Sequence, residues 1–393
     1  MTKYNFDEII DRKGTGAIKV DVLEERYGSS DLISLWVADM DFKSPPDVVE
    51  AIIERAKHGV FGYTSASQQY YDSIINWVKR YHDWEIDQEW LSYIPGIVKG
   101  IAFVIDCFTS GEDKIIIQPP VYHPFRIIPE LHHRAILDNP LILGEDGQYK
   151  MDFVGLRKMI DPSCKILILC NPHNPGGRVW TRQELIDLAE ICYDNSILVI
   201  SDEIHADLAF DGHKHIPFAS VSEKAAQNSI TFMAPSKTFN IAGIVSSYAV
   251  VSNEKLKEHF YAYLERSELQ DGHIFAYVAT EAVYNHGDEW LKEAKDYIWT
   301  NICFVDKYLK ENITQIKAMI PQASFLVWLD CRDLGLSQPE LEELFVKEAG
   351  LALNTGTMFG EGGEGFMRMN VGSPKSIIEK ALNQLKSAID SKH

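Results

Sequence analysis

The chain has 393 residues, a length that fits two domains better than one, and 46% of them are hydrophobic, too many for a disordered polymer. Its formal net charge of −19 and pI near 5.1 argue against a nucleic-acid footprint and against an anionic membrane surface. No apolar run approaches the ~20 residues that span a bilayer, and the opening "MTKYNFDEIIDRKG" lacks the apolar core of a secretory signal, so a cytoplasmic location is expected.

In chain order, Pro45-Pro46 introduce a predicted helix over 47–58, closed by Gly59. "IPGIVKGIAFVIDCF" (94–108) opens on Pro-Gly and continues as an apolar helix whose first backbone N–H groups, near Ile97 and Val98, would point at an anion. Continuous β-branched runs at 114–120, 165–172, 197–204, 229–237 and 247–252 predict buried strands. Between the second and third, 181–195 has the capping-box spacing of Thr181 and Glu184, with Leu185, Leu188, Ala189 and Cys192 at helical steps. This alternation predicts an α/β fold with a mostly parallel sheet between helices. From 288 the pattern becomes α+β: a long helical stretch over 288–318, a strand at 324–330, a helix near 338–349, apolar segments at 350–356 and 366–372, and a final helix. The expected layout is an N-terminal segment 1–45 joining the small domain, a large domain 46–285 and a small C-terminal domain 286–393. The six cysteines (Cys107, Cys164, Cys170, Cys192, Cys303, Cys331) form no CxxC pair and read as buried free thiols.

Three polar clusters fall at the carboxyl ends of three predicted strands: "NPHNPGG" (171–177), "SDEIHADL" (201–208) and "SKTFN" (236–240). In open α/β sheets, ligands bind at that edge. Asn174 offers an amide. Asp202 is a carboxylate leaving an apolar strand, and a buried aspartate must be paired. Lys237 is an amine that desolvation would make nucleophilic. An amine, an acid and an amide around one cavity suit pyridoxal 5'-phosphate, with the lysine bonded to the aldehyde, the aspartate against the pyridine nitrogen and the amide on the phenolic oxygen. Ser236 adds a hydroxyl donor for the phosphate.

Plainer readings stand beside these. Lys237 reads also as a strand-end lysine, Asp202 as a cap or ion-pair partner, Asn174 as a turn former, Arg368 as a surface arginine, and Tyr63 and Tyr122 as core aromatics. Two patterns are set aside. "GEGGEG" (360–365) has the GxGxxG form but joins no strand to a helix, so it reads as a flexible loop. "DEIHADLAFDGHKH" (202–215) is rich in metal-ligand residues but shows no HExxH-like spacing and gives Lys237 no task, so no metal is expected.

The three blocks, in this order and spacing, resemble those of fold-type-I pyridoxal-phosphate enzymes of the aminotransferase class I/II superfamily, over nearly the whole chain. "WVADMDF" (36–42), "FGYT" (61–64), "PPVYHPF" (119–125), "SDEIHADL" and "APSKTFNIAG" (234–243) narrow the likeness to the MalY/PatB group of cystathionine β-lyases, or C–S lyases. The resemblance implies that Lys237 is the Schiff-base lysine, Asp202 the pyridine partner, Asn174 the ligand of the ring oxygen and Tyr122 the aromatic stacked on the ring. It implies that Tyr63 reaches the phosphate in a neighbouring subunit, making a homodimer with shared active sites. It further implies that Arg368 grips the α-carboxylate of an amino-acid substrate, a bidentate task suited to guanidinium, with Ala38 beside the substrate. Trp36 and Asp39 read equally as substrate neighbours or as plain loop, and His205 equally as packing beside the ring or as part of the chemistry.

Two departures stand out. Where transaminases carry a tyrosine three residues after the aspartate, this chain has His205, which fits the lyase group. Where many carry an arginine eight residues after the lysine, it has Val245, which leaves the phosphate to backbone amides, Ser236 and Tyr63. The implied function is C–S β-lysis of cystathionine or related cysteine S-conjugates to a thiol, pyruvate and ammonia. The alternatives are an aminotransferase on the same scaffold, a metal-dependent hydrolase, and a regulatory protein that keeps the cofactor without turnover.

Overall fold

The structure, a computed structural model, describes residues 3–391. At its centre lies a seven-stranded sheet: β1 (Leu91–Ile94), β2 (Lys114–Ile117), β3 (Ala135–Asp138), β4 (Cys164–Cys170), β5 (Leu198–Asp202), β6 (Ser229–Met233) and β7 (Ser247–Val250). Their spatial order is β1-β7-β6-β5-β4-β2-β3. Only β7 runs against its neighbours; β6, β5, β4, β2 and β3 pair in parallel.

The continuous apolar runs exist because both faces of the sheet are covered. Successive side chains alternate between two cores. Ile166 and Ile168 of β4 pack into one with Ile101 and Val104 of the helix Ile97–Phe108, while Leu167 and Leu169 pack into the other with Leu185 and Leu188 of the helix Arg182–Asp194. That second helix starts on the expected capping box: Glu184 N–H donates to Thr181 Oγ1 at 3.2 Å and Thr181 N–H to Glu184 Oε2 at 2.7 Å. The helix Pro46–Lys57 also forms, with Gly59 left-handed at φ 76° just beyond it.

Four differences from expectation have physical causes. The predicted strands are too long at their carboxyl ends: "QPP", "NP" and "APSK" leave the ladder, since proline lacks the N–H it needs, and "EI" leaves it in the turn that Asp202 closes on the Ile204 N–H. Second, the helix begun at Asp288 stops at Asn312, and Lys317–Met319 is a strand paired antiparallel with Trp328–Asp330. Burial of Ile313 and Ile316 and this cross-strand pairing outweigh local helix preference there. Third, two of the six free cysteines are not buried: Cys303 is exposed and Cys107 half-buried. Fourth, β1, β3 and the helices Gln68–His82, Glu254–Arg266 and Ile274–His286 carry no signal singled out above.

A second, antiparallel sheet orders Lys317–Met319, Leu326–Asp330, Phe366–Asn370 and Asn354–Thr355 side by side. Its register sets Arg368 directly opposite Asn354. Near the N-terminus, Ile33–Ser34 pairs in parallel with Leu351–Ala352. The glycines of "GEGGEG" serve close packing. The Gly363 carbonyl oxygen lies 2.0 Å from where a side chain on Gly356 would start, and Gly360 and Gly362 pack on Pro119 and Pro120.

Candidate active site

Because β4, β5 and β6 are parallel neighbours, with Cys170 beside Asp202 and Asp202 beside Phe232, their carboxyl ends open together. They open into a cavity of about 350 Å³. Asn174, Asp202, His205, Ser236 and Lys237 line it from these strand ends, and Tyr122 from the segment after β2. Ile97 and Val98 line it from the N-terminus of the helix Ile97–Phe108, and Ala38 from the N-terminal segment. Tyr63 does not reach the cavity of its own chain; it is fully exposed, on a segment that also exposes Val60 and Phe61.

Burial dominates the electrostatics. It pushes the Asp202 carboxyl up to about 7; the one hydrogen bond opposing this is from the Ile204 N–H of its own turn, at 3.1 Å. Burial lowers the Lys237 amine to about 8, against the pull of Asp39. A minority of Lys237 is therefore already the free amine near physiological pH, far more than for an ordinary lysine, and its Nζ donates to the Ala38 carbonyl at 2.5 Å. Burial likewise drives the His205 imidazole down to about 3 and the Tyr122 phenol up to about 12, so both stay uncharged. Buried Nδ1 of His205 has no hydrogen-bond partner.

Arg368 is buried behind the cavity. Its guanidinium donates to Asn174 Oδ1 at 3.0 Å, to the Trp36 carbonyl at 3.0 Å and to Asn354 Oδ1 at 2.6 Å, while its Nε is buried without a partner. Asn174 thus spends its oxygen on Arg368, and its amide nitrogen remains the free donor. Asn354 escaped sequence reasoning because only the pairing with the Arg368 strand gives it meaning.

Segment 36–40 reaches the cavity through Ala38, and every one of its carbonyls is taken by a side chain. Arg368 holds Trp36, Asn370 holds Val37 and Asp39, Lys237 holds Ala38, and Asn240 holds Met40. Trp36 and Asp39 lie in this loop two residues before and one after Ala38, and neither lines the cavity.

The acidic–histidine run splits by strand alternation. Asp202 faces the cavity. Glu203 turns away to bond His215 at 2.7 Å, Ser201 at 2.8 Å and the Phe218 N–H at 2.8 Å. Asp207 takes hydrogen bonds from Trp77 at 3.0 Å and Thr238 at 2.7 Å and pairs with His82 at 2.8 Å. These side chains are committed to internal pairs, and among the described residues no group of three or more His, Cys, Asp or Glu is placed to hold a metal ion.

Pyridoxal phosphate fits the donor set. Asp202 is a buried carboxylate short of partners, which a protonated pyridine nitrogen would satisfy. A desolvated amine shares its cavity. The helix at Ile97 starts from Gly96 at φ 104°, and its end is a ready anion site. Gly96 is held there by its N–H to Ser247 Oγ at 2.9 Å, and that hydroxyl donates to the Ile94 carbonyl at 2.8 Å. Val245, where a phosphate-binding arginine is common, lines the cavity with a left-handed backbone at φ 55°.

A family model described as aminotransferase class I and II matches residues 30–385. The chain is 42% identical to cystathionine beta-lyase PatB of Bacillus subtilis, over 98% of this chain and 100% of that protein. It is 31% identical to protein MalY of Escherichia coli, over 98% and 99% respectively. Its structure superposes with a TM-score of 0.96 on cystalysin from Treponema denticola, whose crystal structure contains pyridoxal 5'-phosphate, at 33% identity over 99% of this chain and 100% of that one.

Proposed function

The chain belongs to the aminotransferase class I and II family, and from that premise we propose that it is a pyridoxal-phosphate-dependent carbon–sulfur β-lyase. It cleaves cystathionine or related cysteine S-conjugates to a thiol, pyruvate and ammonia. The observation that carries this is the sharing of one cavity by the amine of Lys237, lowered to about 8, and the underpaired carboxylate of Asp202.

Lys237 and Asp202 would hold the cofactor with Asn174, Tyr122, Ser236 and the helix end at Ile97 and Val98. When bound, pyridoxal phosphate supplies an aldehyde that takes up the substrate amine and a ring that withdraws electrons from Cα. Arg368 binds the substrate carboxylate through its unpartnered Nε, with a terminal nitrogen released from Asn174 or Asn354, and fixes which Cα bond faces Lys237. Neutral Lys237 removes the Cα proton, and as an ammonium it returns a proton later; an amine lowered to about 8 serves both directions near neutral pH. The sulfur at Cβ departs as thiolate. Whole-chain identity of 42% to a cystathionine β-lyase supports this outcome over amino transfer.

The proposal includes a cytoplasmic homodimer with shared sites. Exposed Tyr63, with Val60 and Phe61, supports an apolar contact with a second copy, where Tyr63 would reach the partner's phosphate. The test is incubation with cystathionine and no keto acid. Thiol and pyruvate released in equal amounts are expected; amino transfer that requires an added keto acid would overturn the lyase reading.

A further inference from the structure

Two carboxylates flank Met40 on the wall facing Lys237, and two cations hold them. Arg12 grips Asp39 with both terminal nitrogens, at 3.1 and 2.7 Å, and reaches Asp41 at 2.9 Å. Lys19, only 1% exposed, donates to Asp41 at 2.8 Å and to the Asp39 carbonyl at 3.2 Å. A lysine this buried is rare unless paired, so the pairing is specific. Between the clamped residues and Arg368 sits Ala38, whose carbonyl receives Nζ of Lys237. Four charged or titratable groups bear on that amine: Asp39, Arg368 and Asp202, together with His205. Asp39 is the one whose charge is cancelled from outside the cavity.

We propose that Arg12 and Lys19 are positioning residues for the reaction: by clamping Asp39 and Asp41 they hold the Ala38 carbonyl against Lys237 and neutralise a carboxylate that bears on that amine. This rests on Lys237 being the reacting amine. An unclamped Asp39 favours the ammonium form of Lys237, and a displaced Ala38 removes its hydrogen-bond acceptor.

The test is a pH profile of Lys237 acetylation by acetic anhydride in the cofactor-free full chain, read by peptide mass spectrometry. Arg12→Gln is expected to raise the labelling midpoint by about half a pH unit, which is about threefold less free amine below the midpoint. Adding Asp39→Asn to that variant is expected to return the midpoint to the wild-type value, which a merely structural role of Arg12 would not do. An unmoved midpoint in Arg12→Gln, or no return in the double variant, overturns the proposal. Should Arg12→Gln fail to fold, Lys19→Met carries the same prediction of a raised midpoint and the same overturning result. A separate control protects the premise. If borohydride with pyridoxal phosphate does not tag Lys237 in the wild-type chain, the reading of the site has failed, whatever Arg12 does.

Discussion

The cavity has two walls built on opposite principles. The strand-end wall, carrying Asn174, Asp202 and Lys237, hangs from a main-chain ladder of parallel strands with apolar cores on both faces. The facing wall, Trp36 to Met40, has side chains on all its carbonyls and is held by Arg12, Lys19, Asn240, Arg368 and Asn370. The first wall can therefore carry underpaired polar groups, because its backbone is fixed independently of them. The second has no such reserve: removing one side chain frees buried carbonyls.

Five expected outcomes test that contrast, beginning with the largest. Lys237→Ala should abolish the borohydride-stable cofactor link and lower pyruvate release by about 10³-fold or more. Because it also takes the donor from the Ala38 carbonyl, unfolding of the cofactor-free chain should show a loss of about 1 kcal/mol, with the strands beside it intact. Asn370→Ala strips the Val37 carbonyl of its donor at 2.6 Å and leaves the Asp39 carbonyl, also held by Asn370 at 2.6 Å, to Lys19 alone. Urea unfolding should show a loss of about 3 kcal/mol. If that loss were under ~1 kcal/mol, the account of the second wall would be wrong.

Arg368→Lys keeps a charge but loses the fork shared among Asn174, Trp36 and Asn354. Steady-state kinetics should show kcat/KM reduced by about 50-fold, mostly through KM.

Asp202 tests the tolerance of the first wall through pH. Its folded-state value of about 7 lies above the unfolded one. The native state thus holds the extra proton, and the cofactor-free chain loses stability from this group as pH rises from about 4 to 7. Asp202→Asn should remove that loss and make the cofactor-free chain more stable than wild type at pH 8 by roughly 4 kcal/mol. The stability difference between the two proteins, measured across pH, should vanish below about pH 4. Smallest of the five, Thr231→Val in β6 replaces a buried hydroxyl that has no partner. Its stability should stay within ~0.5 kcal/mol of wild type or rise.

Lys237, Asp202 and Asn174 were legible because each ends an apolar β-branched run, and parallel strands of one sheet necessarily bring such ends together. Thr181 and Glu184 were legible because a capping box is complete within four residues. Arg12, Lys19, Asn354 and Asn370 were not. Their partners lie 14 or more residues away in the chain, and nothing beside them in sequence marks an asparagine, lysine or arginine as a partner of Arg368 or of the 36–41 segment. The residues 313–318, read as helix, show the same limit, since the strand Leu326–Asp330 recruits Lys317–Met319 from outside any local window.

What the sequence by itself determined is the periodic and local part: the buried parallel strands, the helices between them, and the amine, acid and amide that those strands must deliver to one edge. Tertiary structure alone decided which protonation state each group holds and who closes the far wall. Both depend on the burial and charge that distant segments impose through space, and chain order carries no measure of either.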